Sequence, residues 1–323
     1  MRAICLLSGG LDSQLAVCVL REQGVDVVGL AFESPFFGSR AARAAAGHFG
    51  IPLNVLDFTA DIVELLNRPK HGFGSCMNPC IDCHARMLHR AGGMLQEWGC
   101  QFLSTGEVLN ERPMSQTRRS LGIVARESGY ADRVLRPLSA LRLPETRVEQ
   151  AGWVDRRRLL SLEGRSRKPQ IALAAQFGIK QYPTPSGGCL LTEPIFCRRL
   201  RDLKEHEGIR EARPLQMLRI GRHFRLSPGV KLIVGRHQED NNALDAAAEN
   251  DILLRPAPAV PGPSALLSPQ ATEEELLLAA AICVKYSDAP AGRPATVLAT
   301  SPSGTRRIEA MGASPADIER LRL

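Results

Sequence analysis

The sequence has no long apolar run. In its 323 residues no uninterrupted hydrophobic stretch approaches the ~20 residues needed to cross a bilayer, which argues against an integral membrane protein. A secretory signal is also missing, because RAICLLSGGLDS at the N-terminus breaks its apolar run with polar residues after Leu7. The 22 prolines and 28 glycines are too few for a low-complexity chain, and a hydrophobic fraction of 44% is too high for intrinsic disorder. No internal repeat is visible. The expectation is a soluble, cytoplasmic protein of two domains, since one domain takes roughly 100–200 residues.

Lysine is scarce, so the basic excess (41 Lys and Arg against 34 Asp and Glu, net charge +7) is carried by arginine. It gathers between residues 111 and 168, including the run Arg156, Arg157 and Arg158, and again over residues 198–225. The planar guanidinium suits phosphate, which leaves a solvated surface and a nucleic-acid footprint both open. Cysteine, in contrast, is plentiful. Nine cysteines without a secretory signal point to chemistry or metal rather than to a disulfide framework. Cys76, Cys80 and Cys83 sit within CMNPCIDC, and Cys189 follows two glycines in PSGGC. Cys5, Cys18, Cys100 and Cys283 lie in apolar segments and read as small buried hydrophobes.

Along the chain, strand-like runs at residues 2–7, 25–32, 53–58 and 101–105 alternate with helical patterns at 12–23, 40–48 and 84–98. That alternation implies a parallel sheet with ligands at the carboxyl ends of its strands. Beyond Pro214 the texture changes to KLIVG, DILLR, a helix over 273–286 and a last strand ATVLAT. The expected fold class is α/β: a parallel-sheet, Rossmann-like domain over 1–180, a linker over 181–213 carrying the Cys189 segment, and a smaller α+β domain over 214–323.

Between the first strand and the first helix lies SGGLDS, residues 8–13. A helix N-terminus offers N–H groups and a favourable dipole to an anion. Gly9 and Gly10 let the backbone approach a phosphate, and Ser8 and Ser13 add hydroxyls. Asp12 would repel phosphate unless a cation lay between them, and a shared Mg²⁺ resolves this. The lysine of the GxxxxGK[ST] loop is absent, unlike an ordinary kinase or GTPase site. SGGLDS resembles the pyrophosphate-binding loop (PP-loop) of the N-type ATP pyrophosphatases. The resemblance implies the adenine nucleotide alpha hydrolase-like fold, cleavage of ATP between its α and β phosphates, and adenylation of a carbonyl oxygen. It puts the pyrophosphate on Ser8, Gly9, Gly10, Asp12 and Ser13, and the adenine around Ala31 and Phe32. Gly106 and Glu107 would face the nucleotide or the target base.

Further motifs point to sulfur. NPCIDC (residues 78–83) resembles the NPCxxCN-type segment of the tRNA 2-thiouridylases, with His84 in place of the final asparagine. SGGCLLTEPIF (186–196) resembles the segment around that family's second cysteine, which implies persulfide acceptance at Cys189 and resolution by Cys83. STGEVLNERPMSQT (104–117) resembles the TGExLGQxxSQT segment of the tRNA 4-thiouridine synthetases, with Asn110 at the glycine. Independently of those families, adenylation makes an oxygen a good leaving group and a thiolate or persulfide is the natural nucleophile. Release of sulfur from a persulfide then needs a second thiol. Cys80, Cys83 and Cys189 also suit a [4Fe-4S] cluster with one iron open for sulfide, and a CxxC with further cysteines suits structural zinc. These three uses stay open.

In the C-terminal part, KLIVGRHQEDNNAL, NDILLRP, VPGPSALL and AAAICVKYSDA follow in the order seen in NFACT-type RNA-binding domains, with Arg255 at that family's characteristic histidine and Pro261-Gly262-Pro263-Ser264 in place of its PGSH. The resemblance makes Arg222, Arg225, Lys231, Arg236 and Arg255 candidate phosphate contacts. Together these readings describe an ATP- and Mg²⁺-dependent sulfurtransferase that adenylates a uridine carbonyl in tRNA, using Cys189, Cys83 and Asp12. Its partners would be tRNA or another RNA and a sulfur donor such as a cysteine desulfurase, with no membrane. The alternatives are an enzyme sulfurating a small molecule and an ATP-controlled RNA-binding factor.

Overall fold

The computed structural model describes residues 1–183, 188–210 and 212–323. The chain divides into two compact units, Met1–Glu193 and Pro194–Leu323.

The first unit runs β1 (Arg2–Leu6), α1 (Leu11–Glu22), β2 (Asp26–Glu33), α2 (Arg40–Phe49), β3 (Leu53–Asp57), α3 (Thr59–Asn67), α4 (Cys80–Gly93), β4 (Phe102–Thr105), α5 (Arg118–Ser128), β5 (Val134–Leu135), α6 (Arg147–Gln150) and α7 (Lys168–Gln176). Its five strands are parallel in the order β3-β2-β1-β4-β5. The central strand reads as a continuous apolar run because both its faces are covered, and Ala3, Ile4 and Cys5 are buried. Leu15 and Val19 of α1 join that core with Ala174 of α7 and the neighbouring Ile179. After β3 the chain crosses to the other side of β1 to form β4. A crevice opens at such a reversal, outside the carboxyl ends of β1 and β4. The sequence begins the fourth helix at His84. In the structure it starts at Cys80, so Cys80 and Cys83 both fall in or beside its first turn.

The second unit contains α8 (Pro194–His206), α9 (Ala212–Met217), β6 (Arg222–Ser227), β7 (Val230–Val234), α10 (Gln238–Ala247), β8 (Ile252–Pro256), β9 (Ala265–Leu267), α11 (Glu273–Lys285), β10 (Ala295–Ser301), β11 (Gly304–Ala310) and α12 (Pro315–Leu321). Its sheet is antiparallel, in the order β11-β10-β8-β9-β7-β6. Its core includes Phe224, Leu232, Val234, Leu254, Ile282 and Val297. ATVLAT is not the last strand. β11 follows it in a hairpin, and the sequence hides β11 because GTRRIEA is exposed along most of its length. The stretch 181–213, read from sequence as a linker, holds the 13-residue helix α8, and the division between units falls inside it. Among the described residues no helix is long and apolar enough to cross a membrane.

Candidate functional site

The phosphate loop joins β1 to α1. Gly9 has φ +78°, and a Cβ there would lie 2.2 Å from the Ala41 carbonyl carbon in the first turn of α2. Only glycine meets both conditions. Gly10 is the N-cap of α1 and supplies no side-chain acceptor to the first turn, whose N–H groups an anion would satisfy. The Ser8 hydroxyl accepts from the Gly10 N–H at 3.2 Å, the Ser13 hydroxyl donates to the Gly10 carbonyl at 2.8 Å, and Gln14 ties down the Gly9 carbonyl at 2.8 Å.

Gly106, at the end of β4, presses on this loop, where a Cβ would lie 2.5 Å from the Asp12 carbonyl carbon and the Ser13 nitrogen. Asp12 Oδ1 is buried and has no hydrogen-bond partner. Burial pushes the Asp12 carboxyl up, against the opposing pull of Arg167 and Arg112. Burial, and then the Asp12 charge, push up Glu111. Gln170 approaches Asp12 without reaching hydrogen-bond geometry, and Arg167 Nε is likewise buried without a partner. Two carboxylates with an unsatisfied acceptor beside an unsatisfied guanidinium donor fit a phosphate-bound divalent cation. Ala31 and Phe32 are buried in β2, and Phe32 is packed edge-on against Phe58 at 5.3 Å under the Arg90 guanidinium. The Phe32 side chain therefore serves the core.

Beyond Gly106, Glu107 is buried and holds three groups together. Its carboxylate accepts from Arg136 Nε at 2.8 Å and from the Thr105 hydroxyl at 3.0 Å, and lies 2.8 Å from His84 Nδ1. Burial would raise this acid, but Arg136 and His84 outweigh it and bring the carboxyl from 4.5 down to about 2. Arg136, read from sequence as part of a basic surface, is thus an internal counter-charge. His84 stands one helical turn beyond Cys80 on α4, on the same face.

The cysteine loop is organised by Asn78. Its carbonyl accepts from the Gly74 N–H, its Oδ1 accepts from the Cys76 N–H at 3.2 Å, and its Nδ2 donates to Cys80 Sγ at 3.2 Å and to Met114 Sδ at 3.6 Å. The Cys189 segment returns to the same place. The Leu190 N–H donates to the Phe36 carbonyl, and Cys76 Sγ lies 3.7 Å from the Thr192 carbonyl oxygen. Burial pushes the Cys83 thiol well above its ordinary value, and Cys189, Cys80, Asp61 and Asp82 add to the rise. Cys80 and Cys189 lie near enough to Cys83 to act on its thiol electrostatically, and among the described residues no group of three or more His, Cys, Asp or Glu is spaced to hold a metal ion. Ser186 and Gly187 of the Cys189 motif lie outside the described residues.

Residues 1–145 match the family model described as thiamine biosynthesis protein (ThiI). Over those residues the chain is similar to a ThiI-type PP-loop domain. Residues 221–322 match the model described as NFACT protein RNA binding domain, so both resemblances read from the motifs hold. The chain is 27% identical over 203 residues to the tRNA-specific 2-thiouridylase MnmA of Xanthobacter autotrophicus, covering 57% of this chain and 49% of that one. It is 29% identical over 129 residues to the tRNA-specific 2-thiouridylase MnmA of Deinococcus radiodurans, covering 33% of each. The chain thus spans about half the length, or less, of these curated relatives. A solved 4-thiouridine synthetase–RNA complex with bound ATP is 26% identical, covers 42% of this chain and 36% of that one, and has a TM-score of 0.33.

Within the PP-loop domain, Asn110 resolves the departure seen in STGEVLN. Its φ is +61°, so the left-handed backbone of the missing glycine is kept by a residue that tolerates it. Its Nδ2 donates to Glu163 at 2.9 Å. Glu111, Arg112, Arg167 and Gln170 were not selected from sequence, because 50 or more residues separate the last two from the rest and no spacing rule joins them. In the NFACT-type unit the candidate cations are mostly committed. Arg225 pairs with Asp202 and Glu207, Lys231 lies 3.7 Å from Asp202, Arg236 pairs with Asp240 and Arg255 with Asp245. Arg222 instead lies over the Tyr286 ring.

Proposed function

We infer that the protein is an ATP-dependent RNA sulfurtransferase that activates a uridine carbonyl in tRNA and exchanges its oxygen for sulfur. The observation that carries this is the convergence of Cys80, Cys83 and Cys189 in the unit whose PP-loop holds an unsatisfied buried carboxylate at Asp12. Kinases and GTPases need no such thiols, and a passive RNA binder needs neither feature. The NFACT-type match and the 2-thiouridylase relatives support RNA as the substrate class.

In this reading, the α1 N-terminus, Ser8 and Ser13 hold the β and γ phosphates of ATP. Asp12, with Glu111, would hold a Mg²⁺, which supplies charge neutralisation for the phosphates. Arg112 and Arg167 offer donors to the same oxygens. The uridine carbonyl oxygen attacks the α phosphorus, the bond to the β-phosphate oxygen breaks, and pyrophosphate leaves. A donor such as a cysteine desulfurase delivers sulfane sulfur to Cys189. The terminal sulfur of that persulfide attacks the adenylated carbon, and AMP departs with the oxygen. Cys83 then loses its proton and attacks Cys189 Sγ, so the nucleoside leaves as a thiocarbonyl and a Cys83–Cys189 disulfide remains, to be reduced by an external thiol. The order has an electrostatic logic. Burial is the main cause of the raised Cys83 thiol, and a charge on Cys189 adds to it, so holding Cys189 in a neutral mixed disulfide lowers the barrier to Cys83 deprotonation without removing it.

The test is to incubate the full chain with ATP, Mg²⁺, a persulfide donor and bulk tRNA, and to measure products. The reading expects AMP and pyrophosphate in step with one thiolated nucleoside. ADP and phosphate, or sulfur transfer unaffected by Cys189→Ser, would overturn it. Iron and acid-labile sulfide measured on anaerobically purified protein separate the chemistries: stoichiometric iron would replace the thiol pair with a cluster.

A further inference from the structure

His84 and Glu107 form a pair to which the thiol chemistry gives no role. His84 Nδ1 lies 2.8 Å from Glu107 Oε1, and the other Glu107 oxygen accepts from Arg136 Nε at 2.8 Å and from the Thr105 hydroxyl at 3.0 Å. The pair joins the two halves of the reaction. Glu107 follows Gly106, whose missing Cβ lets the end of β4 press on the backbone of Asp12 and Ser13 in the phosphate loop. His84 follows Cys83 and stands one turn beyond Cys80 on α4. In NPCIDCH it takes the place of the asparagine in the 2-thiouridylase motif, so the imidazole is this chain's own.

The geometry fixes how the ring is protonated. Against burial, Arg136 and His84 bring the Glu107 carboxyl down to about 2, so it is a carboxylate and can only accept. Nδ1 therefore carries the proton, and the neutral ring presents a lone pair at Nε2. Among the described residues Nε2 forms no hydrogen bond and is not sealed off. The His84 side chain is 33% exposed, against 8% for Glu107. A buried carboxylate behind a partly open imidazole holds a base in one orientation and stabilises the imidazolium it becomes. The neighbouring candidates are set otherwise. His71 Nε2 is buried, His89 Nδ1 lies 3.1 Å from the Ser128 carbonyl oxygen, and Asp82 accepts from the His71 N–H.

We propose that His84 Nε2 is the base that takes the N3 proton of the target uridine during adenylation and returns it once sulfur is in place. The proposal deepens the reading of the protein as a uridine sulfurtransferase and rests on it. As the carbonyl oxygen bonds to the α phosphorus and pyrophosphate leaves, the bond from that carbon to N3 becomes double, and the N3 proton passes to Nε2. Glu107 stabilises the imidazolium through Nδ1. Persulfide attack then expels AMP with the oxygen. When Cys83 attacks Cys189 Sγ, the nucleoside departs as an anion shared between sulfur and N3. The imidazolium returns its proton to N3, which leaves a thiocarbonyl and a neutral ring. N3 adjoins both carbonyl carbons of uracil, so the assignment holds for either. The same lone pair selects the base, since uridine presents N3–H to it and cytidine presents a second lone pair.

The test is a single-turnover assay of the full chain with ATP, Mg²⁺, a persulfide donor and tRNA from a deletion strain, reading pyrophosphate and thiolated nucleoside. Filter binding measures tRNA affinity separately. His84→Ala and His84→Gln are expected to slow pyrophosphate release about 100-fold or more, the scale of a lost general base, with tRNA affinity unchanged. The glutamine fills the space and can accept a hydrogen bond, yet takes up no proton. Free imidazole should restore part of the rate in His84→Ala and leave the wild type as it was. Circular dichroism melts confirm that each variant is folded. A His84→Gln chain that keeps the wild-type rate overturns the proposal and reduces His84 to a hydrogen-bonding contact. A rate loss matched by lost tRNA affinity, with no response to imidazole, also overturns it and makes the ring a structural prop. Full thiolation in both variants removes the base alone and leaves thiolation standing. A wild-type chain that forms no thiolated nucleoside removes thiolation and the proposal with it.

Discussion

Replacing Arg136 with methionine tests the electrostatics of the site most sharply. Glu107 and Arg136 are both buried, at 7% relative exposure each, and meet at 2.8 Å. Moving a carboxyl from 4.5 in the unfolded chain to about 2 in the folded one corresponds to about 3 kcal/mol at ~1.4 kcal/mol per pH unit. Because the folded value is the lower one, this stability is present above pH ~4.5 and is lost as pH falls toward 2. Without the guanidinium the buried carboxylate keeps only His84 and Thr105 and loses its main counter-charge, a cost of about 3 kcal/mol at neutral pH. The assay is urea unfolding followed by tryptophan fluorescence. Both tryptophans, Trp98 and Trp153, lie in the first unit, so the signal reports that unit. Arg136→Met should lower its stability by about 3 kcal/mol or more and flatten the loss between pH 4.5 and 2. Adding Glu107→Gln should recover part of the cost, because the buried charge is then gone. A single variant within 1 kcal/mol of wild type, with an unchanged pH profile, would refute the argument.

Other outcomes follow from the same geometry. Gly106→Ala would place a methyl 2.5 Å from the Asp12 backbone and should lower pyrophosphate release by at least ~100-fold, the scale of a small displacement of catalytic groups. Asp12→Asn removes the charge that would hold a cation and should make activity insensitive to Mg²⁺ between low and high millimolar levels, read from initial rates. Cys83 should alkylate slowly with iodoacetamide at pH 7.5, and faster in Cys189→Ser, because one cause of its raised thiol is gone. Peptide mass spectrometry across a pH series reads both rates.

The order of strands and helices up to β4 was legible because each element carries its own period and stop signal. Gly24 and Gly50 close α1 and α2, and the β1 run is apolar throughout. SGGLDS could be read because its chemistry is local. The start of α4 at Cys80 was not legible, since Pro79 and the short Cys-Ile-Asp-Cys turn hide a first turn that has no apolar repeat. Glu107, Arg136 and His84 meet across 52 residues, and Arg167 reaches Asp12 from still farther away, so only tertiary contact shows them. The basic excess illustrates the same limit. Much of it is spent internally, as in Arg156 against Glu149 and Arg225 against Asp202, and the sequence does not distinguish a paired arginine from a waiting one.

The central claim is sulfur transfer to a tRNA uridine through Cys189 and Cys83. Nucleoside mass spectrometry of tRNA from a deletion strain, complemented with wild-type chain or with Cys189→Ser, tests it directly. The account predicts that one thiolated uridine disappears on deletion, returns with the wild-type chain and stays absent with the serine variant. An unchanged set of thiolated nucleosides in the deletion strain, or full restoration by Cys189→Ser, would contradict it.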